Sequence, residues 1–335
     1  MSEQWTAPKF EARRTIEQKE QPEKFADKLR KDPNVEAVIS LAFVRHATAA
    51  KEKGAADERR TLDEKGIATS RAKTAEILDT KPEQVLVIGS PRDRTGHTGM
   101  SILVGDNEDF AEVTAFDPLL KKLDGVEDDS AEKPRFGSRL GTSKDLDYYM
   151  NPESDYYKND YEPSIGNKNY LEAFVDGSDE KAKAAGDEIT STYLRQAQQG
   201  ARLVERYEKA SPQWAKFLER HKDEQEKNAE GEETGVKKYD KVLQRLLPNH
   251  MGVGECFLAK VIELAEGTEK RNEFVEILKK DGFDYVEYFK VFIVEHKNDG
   301  QKVFVEYRHK NKETGEQDFE FVQGIEPSLI ENILK

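Results

Sequence analysis

Two uninterrupted apolar runs in the first third of the chain predict buried strands. Residues 39–44 read ISLAFV and residues 85–88 read VLVI, and both runs are rich in β-branched side chains. Between them, residues 61–78 (TLDEKGIATSRAKTAEIL) have apolar side chains at helical spacing, and Thr61 and Glu64 have the spacing of a capping box. An order of strand, helix and strand predicts a parallel sheet with helices on both of its faces.

Further apolar runs continue this pattern along the chain. A third strand is predicted at about 111–116 (AEVTAF), and the run KVLQRLLPNH ends at His250 before a helix at about 254–265. The last run, at about 286–310, is typical of two strands joined by an Asn-Asp-Gly turn. The pattern predicts an α/β fold: a three-layer sandwich with a mostly parallel central sheet, helices on both faces and an inserted lid subdomain.

Changes in residue content divide the chain into three parts. Residues 1–33 are polar and helix-prone and predict an N-terminal helical arm that ends at an Asp-Pro pair. Residues 34–122 and 236–335 contain the predicted strands and form the α/β core. Residues 123–235 are rich in Gly, Pro, Asp and Tyr and predict the lid insertion. The tyrosines of this insertion are expected to pack it against the core, because aromatic burial gives such a segment its shape.

Three predicted strands are each followed by a cationic or imidazole side chain. Arg45 and His46 follow the first strand, Arg94 lies soon after the second, and His250 follows the strand in the last third of the chain. An Arg-His pair by itself is more often a surface pair than a catalytic one. If the strands are parallel neighbours, however, their carboxyl ends share one edge of the sheet, and these four side chains converge there.

A group of two histidines and two arginines suits phosphoryl transfer. A neutral imidazole is a good nucleophile near neutral pH, and one ring nitrogen can attack while a hydrogen bond holds the other. Arg45 and Arg94 would grip the phosphoryl oxygens with their planar guanidinium groups and stabilise the charge of the transition state. His250 would add a further hydrogen-bond donor to those oxygens.

Composition limits the classes of partner. The 335 residues have a formal net charge of −14 and a pI near 5.2, which argues against a protein that neutralises nucleic acid or anionic lipid. Cys256 is the only cysteine, which excludes an intrachain disulfide and a thiol metal cluster. The first residues are charged where a signal peptide has an apolar core, and no run of about 18 apolar residues occurs. We expect a cytoplasmic protein without a membrane or nucleic-acid partner.

Four motifs, in order, resemble those of the histidine phosphatase (phosphoglycerate mutase-like) superfamily. FVRHA is similar to the opening Arg-His-Gly signature, with Ala47 in the glycine position, a variation that resembles the bacterial phosphohistidine phosphatase branch. TLDEKGIATSRAKTA resembles the Leu-Thr-x-x-Gly helix motif, and NHMGVGECFL resembles the last motif, a histidine followed by small residues and a helix. SPRDRTGHT matches the family's Ser-Pro, Arg and Thr at these positions: Ser90, Pro91, Arg94 and Thr98.

The resemblance implies a role for each of the four convergent side chains. His46 would be the nucleophile that becomes phosphorylated, Arg45 and Arg94 the phosphate clamp, and His250 the second histidine of the phosphate pocket. The implied activity is hydrolysis of a phosphomonoester or phosphoramidate, on a small phosphorylated substrate or a phosphoprotein, with no metal or organic cofactor. The alternatives are a phosphomutase that uses the same intermediate and a noncatalytic domain that binds phosphate or a partner.

The residue that protonates the leaving group departs from the family pattern. Many members place a glutamate after the third strand, in a stretch that resembles Asp-Pro-x-Leu-x-Glu. Here the stretch FDPLLKKL puts Lys122 in that position, and a lysine with an ordinary pKa of ~10.4 cannot do the same work. The acid is therefore left open among the nearby carboxyl groups, which are Asp117, Asp124, Glu127 and Asp128.

Two other residues lie in the predicted loop that contains Arg94. Arg92 is equally expected to touch substrate or to face solvent, and His97 is expected at the start of a helix, facing solvent. The aspartates among the tyrosines of the insertion lack the spacing of a calcium loop, so no metal site is expected there.

Overall fold

The computed structural model describes residues 23–50, 56–105, 140–165, 170–227, 231–278, 282–311 and 313–335. The strands in this part of the chain are β1 (Val35–Arg45), β2 (Val85–Gly89), β3 (Leu140–Thr142), β4 (Gln225–Lys227), β5 (Glu233–Lys237), β6 (Val242–Asn249), β7 (Tyr288–His296), β8 (Gly300–Lys310) and β9 (Gln317–Ile325). The α-helices are α1 (Phe25–Lys31), α2 (Glu64–Ala72), α3 (Thr74–Ile77), α4 (Asp93–Val104), α5 (Glu162–Ile165), α6 (Tyr170–Val175), α7 (Ser178–Ala184), α8 (Tyr193–Arg220), α9 (Val253–Glu266), α10 (Thr268–Ile277) and α11 (Pro327–Leu334).

Seven of the described strands form one mixed sheet, in the order β3-β2-β6-β1-β7-β8-β9. The strands from β3 to β1 in this order pair parallel, whereas β1, β7, β8 and β9 pair antiparallel. The turn between β7 and β8 ends at Gly300, whose φ of 72° lies in the left-handed region that glycine tolerates. The strand β9, which was not predicted, extends the antiparallel half of the sheet beyond this hairpin.

Helices cover both faces of the sheet, because its central strands are apolar on both sides. Alternate residues of β1 point to opposite faces. Ile39, Leu41 and Phe43 enter one core, which they share with buried residues of α8 and α9. Ala42 and Val44 enter the other core, which they share with buried residues of α3 and α4. The predicted three-layer α/β fold is therefore confirmed.

Helix α8 belongs to the layer that covers the sheet. Its residues Ala201 and Val204 are buried in the same core as β1. Its Gly200 lies so close to Phe257 of α9 that an added Cβ would be 2.5 Å from the ring atom Cγ. The segment predicted as a lid, residues 123–235, thus also supplies one long helix of the α/β layers.

Three tyrosines of the insertion pack into this same core. Tyr156, Tyr161 and Tyr170 are buried, and Tyr161 and Tyr170 both contact the ring of Phe174, with ring centres 5.5 Å and 4.7 Å away. The predicted packing role is confirmed for these three side chains.

Two local predictions are wrong. Helix α2 begins at Glu64, and the side chain of Asp63 accepts the Gly66 N–H at 2.6 Å, so the capping residue is Asp63 and not Thr61. The shorter reach from the residue directly before the helix explains this choice. The segment after β2 is helical from Asp93 onward rather than a loop, and it places Arg94 in the first turn of α4.

Several predicted features lie outside the described residues. They are residues 1–22 of the arm, the strand at 111–116, Lys122, and the candidate acids Asp117, Asp124, Glu127 and Asp128. Within the described ranges, no helix combines the length and apolar content that crossing a membrane requires. The division of the chain into arm, core and lid stays a prediction.

Candidate active site

The carboxyl ends of β1 and β6 lie side by side and bring His46 next to His250. The parallel register pairs Arg45 with Asn249, and the His46 N–H donates to the Asn249 carbonyl at 2.9 Å. The centres of the two imidazole rings are 5.1 Å apart. Parallel neighbouring strands thus place two residues that are distant in sequence at one edge of the sheet.

The main chain sets the tautomer of His46. Its Nδ1 is 2.7 Å from the Ala47 carbonyl oxygen, and because a carbonyl only accepts, Nδ1 carries the proton. Nε2 is therefore unprotonated, and its lone pair accepts a hydrogen bond from the Nε–H of Arg94 at 3.3 Å. Burial and the charge of Arg94 lower the pKa of His46 to about 3, so the ring is neutral at pH 7.

His250 is buried and held by Ser90. Its Nε2 is 2.7 Å from Ser90 Oγ, which also accepts the Arg92 N–H at 3.2 Å. The Ser90 hydroxyl can then donate to Nε2, which leaves the imidazole proton on Nδ1. Nδ1 has no hydrogen-bond partner among the described residues. Burial, together with the adjacent His46, lowers the pKa of His250 well below its ordinary value, so the ring is neutral. His250 is not among the described residues that line the cavity in front of His46, and its role in a phosphate pocket stays a prediction.

Arg94 is buried at the start of α4 and has two sets of partners. Its Nε faces His46, whereas Nη1 donates to the Asp57 carbonyl oxygen at 2.9 Å. The two terminal nitrogens also pair with the Asp57 carboxylate, Nη1 with Oδ1 at 3.1 Å and Nη2 with Oδ2 at 3.2 Å. The guanidinium plane is therefore fixed between His46 and Asp57.

Arg45 lies beside His46 with its side chain in a different direction. Its Nη1 donates to the Phe283 carbonyl, and its guanidinium carbon is 4.7 Å from the centre of the Tyr285 ring. Successive residues of a strand point to opposite faces, which explains why Arg45 and His46 diverge. Arg45 does not line the cavity in front of His46 as far as the described residues define it. Its role in a phosphate clamp stays a prediction.

A cavity of about 820 Å³ opens in front of His46. This volume is in the usual range for sites that bind small molecules. Its described lining combines charged and polar side chains with apolar and aromatic ones. The lining side chains include Thr48, Arg60, Asp63, Arg94, Ile165, Met251 and Tyr285.

Two motif residues without a chemical role hold the backbone next to His46. The hydroxyl of Thr98 accepts the Ala47 N–H at 3.0 Å. A Cβ at Gly66 would lie 2.2 Å from the Thr48 carbonyl oxygen, so only glycine lets α2 approach this closely. The glycine of the second motif and the threonine of the third therefore position the loop that follows β1.

Three further residues lie at this site. The sequence pattern gave Asp57 and Asp147 no role in it, and it placed Tyr148 among the tyrosines that pack the insertion or line a lid over the substrate. Asp57 accepts from Nη1 of Arg92 at 2.7 Å, and Asp147 accepts from Nε of the same side chain at 2.8 Å. The Tyr148 ring stacks on that guanidinium at 4.2 Å and meets the ring of His250 at 5.2 Å. Arg92 is buried in this group, which corrects the solvent-facing role considered for it. It is not among the described residues that line the cavity, and a contact with substrate stays a prediction.

His97 is buried, contrary to the prediction that it faces solvent. Its Nδ1 accepts the Leu62 N–H at 3.2 Å, across the contact between α4 and the segment before α2. Burial and the charge of Arg71 lower the pKa of His97 to about 4. The prediction fails because every residue of α4 is buried between the sheet and α2, so the helix has no solvent face.

Two carboxylates in the described part of this site, Asp57 and Asp63, are held in their ionised form. Burial raises the pKa of Asp57, but the charge and hydrogen bond of Arg94 outweigh it and lower the pKa overall. The hydrogen bonds from the Thr48 hydroxyl and the Gly66 N–H lower the pKa of Asp63. Neither carboxyl group is therefore suited to protonate a leaving group. The described residues also contain no cluster of three His, Cys, Asp or Glu side chains that could hold a metal ion.

The chain is similar to several solved structures, although no protein-family model and no curated protein matches it. A structure described as mycobacterial hydrolase 2 matches with 10% identity and a TM-score of 0.40, over 89% of this chain and 97% of that chain. A mycobacterial glucosyl-3-phosphoglycerate phosphatase matches with 13% identity and a TM-score of 0.38, over 76% of this chain and 91% of the other. A protein assigned as the phosphohistidine phosphatase SixA from Agrobacterium tumefaciens matches with 11% identity and a TM-score of 0.27, again over 76% and 91%.

Proposed function

We propose that this chain is a histidine-type phosphatase that hydrolyses a phosphomonoester or phosphoramidate through a phosphohistidine on His46. The state of the His46 ring carries the proposal. Its Nδ1–H is held by the Ala47 carbonyl at 2.7 Å, and its unprotonated Nε2 faces the Arg94 guanidinium at the edge of a cavity. A neutral imidazole with a fixed tautomer, next to a cation that can bind phosphoryl oxygens, is what nucleophilic attack on phosphorus requires.

In the first step, the lone pair of His46 Nε2 attacks the phosphorus atom. An N–P bond forms as the bond from phosphorus to the leaving oxygen or nitrogen breaks. Arg94 stabilises the equatorial oxygens through its Nε edge, and the Nδ1–H of His250 donates to one of them. The leaving group takes a proton, for which Asp117, Asp124, Glu127 and Asp128 stay predicted donors.

In the second step, water attacks the phosphorus atom of the phosphohistidine. The N–P bond breaks, its electron pair returns to Nε2, and the group that gave its proton to the leaving group in the first step takes the water proton, so that inorganic phosphate leaves and the donor is restored. His46 is again neutral, with its proton on Nδ1, so the cycle closes without a redox change. The cavity dimensions favour a small phosphorylated substrate or the phosphorylated side chain of a protein.

The test is rapid-quench labelling with a ³²P-phosphorylated substrate panel that contains aryl phosphates, sugar phosphates and phosphohistidine. We expect an adduct that is acid-labile and base-stable, that forms at the rate of turnover or faster, and that disappears in His46→Ala. His221→Asn serves as the matched control, because His221 lies at the end of α8 and pairs with Glu224. That variant should be labelled like the parent protein.

The same experiment separates the alternatives. An adduct that persists in water and decays only when a second hydroxyl compound is added would indicate a phosphomutase. No adduct and no turnover across the panel, with phosphate binding retained, would indicate a noncatalytic phosphate-binding domain. Unchanged labelling in His46→Ala would refute the proposed nucleophile.

A further inference from the structure

The carboxylate of Asp57 lies at the centre of a group of three arginines. It begins the short 3₁₀ turn Asp57–Arg59, in the charged segment that follows β1. Its two oxygens are 2.7 Å from Arg92 Nη1, 3.1 Å from Arg60 Nη1 and 3.1 Å from Arg94 Nη1. The Tyr148 hydroxyl donates to the same carboxylate at 3.3 Å. Three cations at this spacing would repel one another without the anion between them.

The contact between Asp57 and Arg94 occupies one edge of the guanidinium group and leaves the other edge facing His46. The terminal edge, Nη1 and Nη2, is held by the carboxylate at 3.1 Å and 3.2 Å, and the Asp57 carbonyl oxygen adds a third bond to Nη1 at 2.9 Å. The side edge, which contains Nε, faces Nε2 of His46 at 3.3 Å. Because the guanidinium group is planar, a grip on one edge fixes the direction of the other.

From this geometry we propose that Asp57 is a positioning residue, which acts through Arg94 and aims its Nε edge at the phosphoryl group on His46. The inference rests on the proposed function only for the identity of the bound group. Asp57 is not a proton donor, since the arginines keep it ionised. It also does not bind substrate itself, because an anionic carboxylate repels a phosphoryl oxygen.

Asp57 also connects both sides of the site. Through Arg92 it reaches Asp147, whose Oδ1 is 3.5 Å from Nε2 of His250. A change at Asp57 therefore acts on the arginine next to His46 and, less directly, on the second histidine. The link through Arg94 is the one that the proposal needs, and a double-mutant cycle isolates it.

The test is such a cycle with Asp57→Asn and Arg94→Ala, in the full chain. The first readout is the Kd for inorganic phosphate, measured by calorimetry, and the second is kcat/KM for p-nitrophenyl phosphate. If Asp57 positions Arg94, Asp57→Asn lowers kcat/KM by about tenfold or more when Arg94 is present, as expected for a misplaced catalytic group. In the Arg94→Ala background the same change alters either readout by less than about threefold.

The charge of Asp57 has an effect of its own, which the cycle removes. Loss of an anion near the phosphate site tightens phosphate binding by a similar factor whether Arg94 is present or not. Only loss of positioning makes the effect of Asp57→Asn on the phosphate Kd differ between the parent protein and the Arg94→Ala variant. We expect the two changes in Kd to differ by at least about tenfold. Equal factors in both backgrounds would overturn the inference, as would parent-like values in Asp57→Asn.

Two further variants guard against a trivial loss of folding. Asp57→Glu keeps the charge but moves the carboxylate by one methylene, so it should keep the melting temperature and still lower kcat/KM. Asp240→Asn is the matched control, because the carboxylate of Asp240 also accepts hydrogen bonds from an arginine, with both oxygens 2.9 Å from Arg30 Nε. Asp240 lies before the amino end of β6, whereas the candidate site lies at the carboxyl end of that strand. It should leave the phosphate Kd unchanged. The phosphate cycle needs no turnover, so failure of the proposed reaction and failure of this inference give different results.

Discussion

His46 should stay neutral when the pH falls from 7 to 5. An imidazole with the ordinary pKa of ~6.5 is roughly 3% neutral at pH 5, whereas one with a pKa of about 3 is ~99% neutral. Burial and the charge of Arg94 give His46 the lower value. The concentration of the nucleophilic form at pH 5 therefore differs by roughly thirtyfold between the two cases.

Single-turnover phosphorylation of the enzyme, followed by rapid quench at pH 7 and pH 5, measures this difference. After correction for protonation of the substrate, the rate should fall by less than about threefold. NMR of the His46 ring should show no titration between pH 5 and 8. In Arg94→Gln the repulsive charge is lost, so the His46 pKa should rise toward its ordinary value and the acid limb of the rate should move to higher pH. A thirtyfold fall in the parent protein, or a ring that titrates near 6.5, would refute the reasoning.

The same pKa values predict how stability depends on pH. A histidine whose pKa is lower in the folded protein than in the unfolded one takes up its proton more readily in the unfolded state. The free energy of unfolding is therefore highest above the unfolded pKa of ~6.5, and it decreases as the pH falls toward the folded pKa. Between pH 7 and pH 5, His46 and His97, with folded pKa values of about 3 and about 4, each remove about 2 kcal/mol from the free energy of unfolding. Urea unfolding at the two pH values should show that His97→Gln loses about 2 kcal/mol of this pH dependence. An unchanged pH dependence in the variant would contradict it.

Three substitutions test polar contacts and packing, one at the site and two in the core. Ser90→Ala removes the 2.7 Å contact with His250 Nε2 and should lower kcat/KM for p-nitrophenyl phosphate by about tenfold or more, while an unchanged value would show that the ring needs no such support. Gly200→Ala would place a Cβ 2.5 Å from Phe257 and should lower the free energy of unfolding in urea by about 1–3 kcal/mol, and parent-like stability would mean that α8 and α9 shift apart freely. Lys290→Met leaves the buried carboxylate of Asp79 without the ammonium group that lies 2.5 Å away. It should lower the free energy of unfolding in urea by about 3–5 kcal/mol. A loss below about 1 kcal/mol would show that the remaining hydrogen bonds of this carboxylate suffice.

Local sequence was sufficient to predict the elements that carry the candidate site. The strands β1 and β2 are mostly apolar runs, and β6 has apolar residues on both sides of Gln244 and Arg245, so burial in the sheet is visible in each segment alone. The positions of His46 and His250 directly after two such strands followed from the same pattern. A parallel arrangement of the strands was then enough to predict that the two rings meet.

The tertiary structure decided which polar groups those side chains contact. Arg45 contacts the carbonyl of Phe283, a residue 238 positions away, and Arg94 contacts Asp57 across 37 positions. The local sequence pattern does not predict these partners. An arginine in a loop or at a helix start has the same neighbouring residues whether its side chain faces solvent, substrate or a carboxylate. The burial of His97 was missed for a related reason, since a histidine at a helix start is exposed only if that end of the helix is.

The sequence by itself therefore determined the α/β layers, the strand ends and the residue types available for phosphoryl transfer, since these depend on local periodicity and burial. Only the tertiary structure decided that β6 lies between β2 and β1, that β9 extends the sheet, and that Asp57 holds one edge of Arg94 while the other faces His46. These are contacts between distant segments. Their free energy depends on distances and directions that exist only once the sheet has assembled.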